Sequence, residues 1–369
     1  AIPRRPDGTD VIYLCGNSLG LQPTAAVSLV REELEAWGAM AVSAHFAAER
    51  PWVSYADRLA PATAALVGAH PSEVVTMNTL TVNLHFMMVS FYRPTADRRK
   101  VLIEQPAFPS DRYAVESQIR LHGFDPADSL IEVGPRPNES VIRMEDLETC
   151  ICAEGSTIAL VLLPGVNYYT GQVFDMAAIT RLGQEQGCVV GFDLAHAVGN
   201  ISLRLHDWNS DFAVWCSYKY LNGGPGAVGG CFVHDRHRDW LDKPRLAGWW
   251  GHDPASRFQM GPDFIPISGA GGWQVSNVPI LSLAPVLASL KIFEEAGMEA
   301  LTAKSDRLTS YLAYLVREEL GARVEILTPL ESGRRGCQLS LRVRGTRADQ
   351  RRAFEALETH GVVCDWREP

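Results

Sequence analysis

Two oppositely charged residues stand at the ends of neighbouring strand patterns. Asp193 closes an apolar run in Gly191-Phe192-Asp193-Leu194-Ala195-His196, and Lys219 follows 26 residues later in Ser217-Tyr218-Lys219-Tyr220. Ligands of open α/β sheets bind beyond the C-terminal ends of the strands, so both side chains can reach one crevice. A carboxylate there must be paired or must hold a cationic group. Pyridoxal-phosphate chemistry has both needs: a lysine that carries the cofactor as an imine, and an acid that keeps the pyridine nitrogen protonated and the ring electron-withdrawing. Taken alone, the two residues fit a plain salt bridge at a sheet edge equally well.

Two further segments bear on that choice. Met77-Asn78-Thr79-Leu80-Thr81-Val82-Asn83 lies between a strand and a helix pattern, where hydroxyls and free N–H groups make a phosphate site. An ordinary helix cap by Thr79 or Thr81 uses the same residues. Phe108, in Phe108-Pro109-Ser110-Asp111, follows the strand that carries Glu104, where an aromatic ring either stacks on a planar cofactor or joins the core. Each of these elements falls where consecutive strands end, and together they support one another.

Positioning them requires an alternation of strands and helices. Strands are expected at 73–77, 101–104, 130–133, 157–163, 188–193, 212–216 and 228–233, with helices at 80–91, 110–121, 144–153 and 176–186. Uninterrupted apolar strands between helices indicate a mainly parallel sheet covered on both faces. Towards the N-terminus, Pro23 and Thr24 open a helix in which Val27, Val30, Leu34 and Trp37 recur at helical spacing. After a Gly/Pro-rich stretch at 248–279 come helices at 281–296 and 301–320, a strand at 338–343, a helix at 349–360 and a strand start at 361–364. The expectation is α/β: a large domain over 51–280 and a smaller α+β domain over 281–369, with the segment 1–50 packing against it.

Composition narrows the function classes. The 369 residues carry 34 Lys+Arg against 43 Asp+Glu, a net charge of −9, so a broad basic footprint for nucleic acid is not expected. No apolar run approaches the ~20 residues of a membrane span. No apolar region follows Ala1-Ile2-Pro3-Arg4-Arg5, so no secretory signal is read. Eight cysteines without a C-x-x-C pair read as buried free thiols in a reducing, cytoplasmic compartment. Gly224-Pro225-Gly226-Ala227-Val228-Gly229 satisfies G-x-G-x-x-G but leads into a strand rather than a helix, so it is no dinucleotide fingerprint. His234-Asp235-Arg236-His237 reads as a solvated turn rather than a metal motif, and no metal is expected.

With these residues in view, the chain closely resembles kynureninase, a pyridoxal-phosphate hydrolase of the aspartate-aminotransferase fold, fold type I, which implies a seven-stranded sheet. The resemblance runs over nearly the whole sequence. It includes Leu14-Cys15-Gly16-Asn17-Ser18-Leu19-Gly20-Leu21-Gln22-Pro23, Glu49-Arg50-Pro51-Trp52, Leu80-Thr81-Val82-Asn83-Leu84-His85 and Ala107-Phe108-Pro109-Ser110-Asp111. It continues through Tyr169-Thr170-Gly171-Gln172, the Asp193 and Lys219 segments, Gly248-Trp249-Trp250-Gly251-His252, Ser276-Asn277-Val278-Pro279 and Arg335-Gly336-Cys337-Gln338-Leu339.

The resemblance implies roles. Lys219 carries pyridoxal 5′-phosphate and moves protons at Cα; Asp193, with His196 nearby, holds the pyridine nitrogen; Phe108 stacks on the ring. Leu80, Thr81, Ser110, Asp111 and Tyr218 contact the cofactor, Tyr218 at the phosphate and as a proton relay. Trp249 and Asn277 reach in from a second subunit of a homodimer, and Asn17, Ser18, His45, Trp250 and Asn277 line the substrate pocket. The implied reaction is hydrolysis of the β–γ carbon–carbon bond of kynurenine or 3-hydroxykynurenine, giving anthranilate or 3-hydroxyanthranilate and alanine, in tryptophan catabolism or on a ring-modified substrate in biosynthesis. His45 and Asn277 match the pattern that goes with the 3-hydroxylated substrate.

Two positions depart from the pattern: Pro164 stands where relatives offer Ser or Thr to the cofactor, and Trp250 where Phe is common. Relatives continue past Cys364-Asp365-Trp366-Arg367-Glu368-Pro369 into a segment whose arginine grips the substrate carboxylate, and a mobile tail carrying it is expected here too. The alternatives are another lyase or transferase of this fold, such as a cysteine desulfurase-like protein, and a non-catalytic cofactor-binding homologue.

Overall fold

The computed structural model describes residues 1–240 and 243–367; Glu368 and Pro369 of the terminal motif lie outside the described residues. The chain opens with β1 (Ile12–Tyr13), α1 (Ala26–Met40), α2 (Ala44–Ala47) and α3 (Ala60–Val67). Strands and helices then alternate: β2 (Val74–Thr76), α4 (Leu80–Phe91), β3 (Lys100–Glu104), α5 (Pro109–Leu121), α6 (Pro126–Ser129), β4 (Leu130–Val133) and α7 (Met144–Glu154). The alternation ends with β5 (Ile158–Pro164), α8 (Met176–Glu185), β6 (Val189–Asp193), β7 (Phe212–Trp215) and β8 (Gly230–Val233). The last part holds α9 (Ile280–Ala296), α10 (Met298–Leu315), β9 (Val324–Ile326), β10 (Leu341–Val343), α11 (Arg347–Thr359) and β11 (Val362–Val363).

Seven strands form one sheet in the order β2-β8-β7-β6-β5-β3-β4. Pairings from β4 to β7 are parallel, and β8 alone runs against its neighbours β7 and β2. The mainly parallel, doubly covered α/β sheet expected from the apolar strands is therefore the fold. Strand periodicity sends alternate residues to opposite faces. Val101, Ile103, Leu160, Leu162, Phe212 and Val214 meet α4 and α5 on one face, whereas Leu102, Val161, Leu163, Val190, Phe192 and Ala213 meet α3, α7 and α8 on the other. With this direction the ends of β2, β3, β5, β6 and β7 open on one edge, which gathers Asn78, Phe108, Pro164, Asp193 and Lys219.

The two chain ends meet. β1 pairs in parallel with β11, and β9 pairs antiparallel with β10. Helix α1 packs on α9 through Ala26 and Leu29 against Ala284 and Ala288. This corrects the apolar face read from the sequence: Val27, Leu34 and Trp37 point outward and are exposed. Small alanines let the two helix backbones approach, so the narrower stripe is buried and the bulkier one is left out. Glu33 shares the buried face because Arg50 Nε at 2.6 Å and Trp52 Nε1 at 2.9 Å satisfy its carboxylate.

Two smaller expectations also change. Cys152 and Cys337 are exposed, while Cys15, Cys188, Cys216 and Cys231 are buried. The 234–237 turn is not solvated at its histidines: His237 is buried with Nε2 2.8 Å from Asp211 Oδ1, and His234 accepts from the Arg236 N–H. Among the described residues no helix is long and apolar enough to cross a membrane.

Candidate active site

Asp193 ends β6 at full burial, its Oδ1 accepting the Ala195 N–H at 2.7 Å. A second buried carboxylate, Asp111 in the first turn of α5, hydrogen-bonds to it. Burial holds both carboxyls above their ordinary range, Asp111 well above it, where the neighbouring Asp193 charge adds to the lift. Asp111 Oδ1 has no partner. Glu104, at the end of β3, lies close by; burial pushes its carboxyl up to about 8.

Lys219 projects from the loop after β7. Its ammonium donates to His196 Nε2 at 3.0 Å and stands 5.7 Å from the centroid of the Phe108 ring. Burial and the Lys219 charge hold His196 well below its ordinary value, so the ring is neutral. With Nε2 accepting, the imidazole proton sits on Nδ1, which is buried without a partner. The loop is held from the N-terminal side: the Gly20 N–H donates to the Tyr218 carbonyl at 2.7 Å. A Cβ at Gly20 would run into the Lys219 carbonyl and Asn222, so only glycine permits this approach. The Tyr218 phenol is pushed up by burial and by the Cys216 thiol beside it, so it is a neutral donor at physiological pH.

Two helix starts face the same crevice. Thr81, in the first turn of α4, has its hydroxyl 2.9 Å from that of Ser110 in the first turn of α5. Neither helix has a side chain capping its first turn, which leaves free N–H groups and two positive dipole ends converging on one spot. Leu80 and Phe108 frame it, Phe108 half exposed and edge-on to Tyr168 at 5.2 Å.

The structure thus brings Lys219, Tyr218, His196, Asp193, Asp111, Ser110, Phe108, Thr81 and Leu80 to one sheet edge. A second group gathers elsewhere. His45 packs on Trp52 at 5.2 Å, and Phe46 on Phe258, which packs in turn on Trp249 at 5.5 Å. Trp249 is exposed, Asn277 is exposed, and Trp250 is buried beneath the Arg257 guanidinium at 4.4 Å. Among the described residues no hydrogen bond or ring contact joins this group to Lys219.

Asn17 is tied to the C-terminal motif: its amide donates to Asp365 Oδ2 at 2.7 Å, while Ser18 is exposed. Asp365 also accepts from Arg367 at 2.9 Å, and Arg367 stands 5.2 Å from the Tyr168 centroid. Asp365, Tyr168 and Glu104 were not picked out as site residues from the sequence. Glu104 had a signal available, an acid at the end of a buried strand; the Asn17–Asp365 link spans 348 residues and leaves none.

Comparison with known proteins follows the same lines. The kynureninase C-terminal domain family matches residues 301–369. Curated relatives called kynureninase from Koribacter versatilis and Stenotrophomonas maltophilia are 56% and 57% identical, each over all of this chain and 86% and 87% of their own. One from Xanthomonas euvesicatoria is 57% identical over 98% of this chain and 85% of its own. Among solved structures, a C-DES mutant with glycine covalently linked to its PLP cofactor superposes with a TM-score of 0.79 at 18% identity, covering 97% of this chain and 89% of that one. The cysteine desulfurase CsdA of Escherichia coli superposes with a TM-score of 0.76 at 15% identity, covering 98% of this chain and 85% of that one. At these identities the structures share the fold with this chain and no more.

Proposed function

The chain belongs to the kynureninase family, and from that premise we propose how its own residues run the reaction. The enzyme is a pyridoxal-phosphate-dependent hydrolase that cleaves kynurenine at the β–γ carbon–carbon bond, releasing an anthranilate and alanine. When bound, the cofactor supplies an electron sink for the negative charge left at the substrate Cα.

The residues present fit that group. The unpartnered buried atoms His196 Nδ1 and Asp111 Oδ1, together with uncapped helix starts at Thr81 and Ser110, form a cradle that lacks partners of its own. Lys219 Nζ would hold the cofactor, and its amine would move the proton at the substrate Cα. Neutral His196 keeps that amine in place through Nε2. Asp193 would keep the ring nitrogen protonated, and Asp111 would steady Asp193 by donating the proton they share. Phe108 would cover the ring and exclude water there. Leu80, Thr81 and Ser110 would receive the phosphate at the two helix starts, with neutral Tyr218 as a further donor. Asn17, fixed by Asp365, and Ser18 line the substrate side.

The observation that carries this reading is Lys219 poised 3.0 Å from a neutral histidine, against Phe108 and beside the buried Asp193–Asp111 pair. Trp249, Asn277, His45 and Trp250 belong to a site completed by a second copy. The exposed apolar side chains Val27, Trp37, Phe46, Trp249 and Phe258 support a homodimer. The division into 1–50, 51–280 and 281–369 and a cytoplasmic location belong to the same proposal. Sedimentation of the holoenzyme tests the dimer; a monomer at full activity refutes it.

His45 and Asn277 carry the substrate preference, which is for 3-hydroxykynurenine. The test is a comparison of kcat/KM on kynurenine and 3-hydroxykynurenine, with alanine release measured alongside. A higher value on the hydroxylated substrate supports the preference; an equal or higher value on kynurenine overturns it. Release of no alanine from either overturns the reading as a whole.

A further inference from the structure

At the opposite edge of the sheet from Lys219, a carboxylate is buried without a permanent cation. Glu73 precedes β2 and is fully buried. Its Oε2 accepts the His70 N–H at 2.8 Å, and its Oε1 accepts the Asp235 N–H at 2.8 Å. Among the described residues no lysine or arginine pairs with it. Among the described residues its one partner able to carry positive charge is an imidazole, His206 Nδ1 at 2.9 Å; His234 Nδ1, at 3.9 Å, already accepts the Arg236 N–H. A buried charge needs compensation, and here it depends on whether a histidine holds a proton.

The histidines are themselves fixed in place. The loop carrying His206 is hydrogen-bonded to the end of α3, Leu205 N–H to the Val67 carbonyl and His206 N–H to the Gly68 carbonyl, both at 3.0 Å. His234 stacks on His206 with centroids 4.9 Å apart, and His70 meets it edge-on at 4.2 Å. One ligand atom each from His70, Glu73 and His206 lie within 4.8 Å of one another. Asp207 and Asp235 add negative charge around His206.

We propose that His70, Glu73 and His206 form a binding site for a divalent cation of the zinc class. Two imidazoles and a carboxylate are the donor set such ions take, with water as a fourth ligand. Bonds of about 2.0–2.1 Å place tetrahedral ligand atoms about 3.3 Å apart, so no pair has to close by more than roughly 1.5 Å. His70 is exposed; its side chain caps the Glu73 N–H, and rotation towards the ion gives up that contact. The ion replaces the proton that His206 Nδ1 shares with Glu73 and supplies the missing fixed positive charge. Its place is structural: it ties the start of the edge strand β2 to the loop before β7, away from the catalytic crevice.

The test uses holoenzyme freed of metal with a chelator, resupplied with pyridoxal phosphate, then given Zn(II) and desalted. The wild-type protein is expected to retain about one zinc more per chain than His70→Asn or His206→Ala, measured by mass spectrometry of the metal. At about a hundredfold excess over the dissociation constant, zinc raises its unfolding midpoint on the order of 3 °C, and this shift is absent in both variants. His70→Asn changes an exposed side chain, so a folding defect in His206→Ala does not remove the test. Equal zinc in wild type and His70→Asn overturns the proposal, as does zinc lost only from a Cys152→Ser/Cys337→Ser protein, which assigns the metal to exposed thiols.

Discussion

Replacing Asp193 and Asp111 in turn by asparagine separates a charged partner from a neutral one. Asp193→Asn keeps the size of the side chain and an oxygen for the Ala195 N–H at 2.7 Å, so what is removed is the charge. Breaking a buried charge pair costs about 3–5 kcal/mol; because an amide still hydrogen-bonds, the lower end applies, a loss of roughly 150-fold in kcat/KM. Asp111→Asn differs in kind. With the proton of the pair assigned to Asp111, as proposed, an amide N–H replaces a neutral carboxyl O–H as donor to Asp193. Exchanging one neutral hydrogen bond for another costs up to about 1 kcal/mol, a loss of no more than about fivefold. The assay is anthranilate release at saturating pyridoxal phosphate, with the cofactor dissociation constant measured for each protein. Equal losses in the two variants, or the larger loss in Asp111→Asn, would refute the assignment of charge and proton.

Three further expectations follow from single contacts. Pro164 pairs with Asp193 across β5 and β6 and offers neither hydroxyl nor N–H; Pro164→Thr restores a donor and tightens pyridoxal-phosphate binding by about fivefold, measured by equilibrium dialysis, and unchanged affinity removes the idea. Asp365→Asn loosens Asn17, raising KM for kynurenine by about three- to tenfold while kcat stays within about twofold; an equal fall in kcat would show that the link acts on chemistry instead. Glu104 is held protonated by burial, its carboxyl pushed up to about 8. Its folded pKa lies above the unfolded one, so wild-type stability falls between about pH 4.5 and 8, by up to about 1.4 kcal/mol per unit. Glu104→Gln flattens that fall, seen as a midpoint gain over wild type at pH 8 that is absent at pH 4; a gain equal at both pH values contradicts it.

Much of the candidate site's placement was legible because its residues lie at strand ends, and strand ends are marked by where apolar runs stop. Val189–Asp193 and Leu80–Phe91 fall within a residue of the sequence reading, and the parallel order then brings Phe108, Asp193 and Lys219 together. What could not be read depends on partners distant in the chain. Helical spacing shows that Val27, Leu34 and Trp37 share a face, but which face of α1 is buried is decided by Ala284 and Ala288 on α9. The raised Asp111 carboxyl arises from burial beside Asp193, and the Glu73 cluster from a loop ordered by α3. The 234–237 segment was read as solvated because its residue types are polar; burial came from Asp211 and Glu73, which satisfy its polar groups.

Lys219 is the residue on which the proposed chemistry depends. Purified wild-type protein with pyridoxal phosphate is expected to be yellow and to release fluorescent anthranilate from kynurenine. Lys219→Ala, folded and matched in concentration, is expected to lose the lysine-dependent visible absorbance and to release none above background. Anthranilate release at wild-type rate from Lys219→Ala, or a wild-type protein that takes up no pyridoxal phosphate, would contradict the central claim.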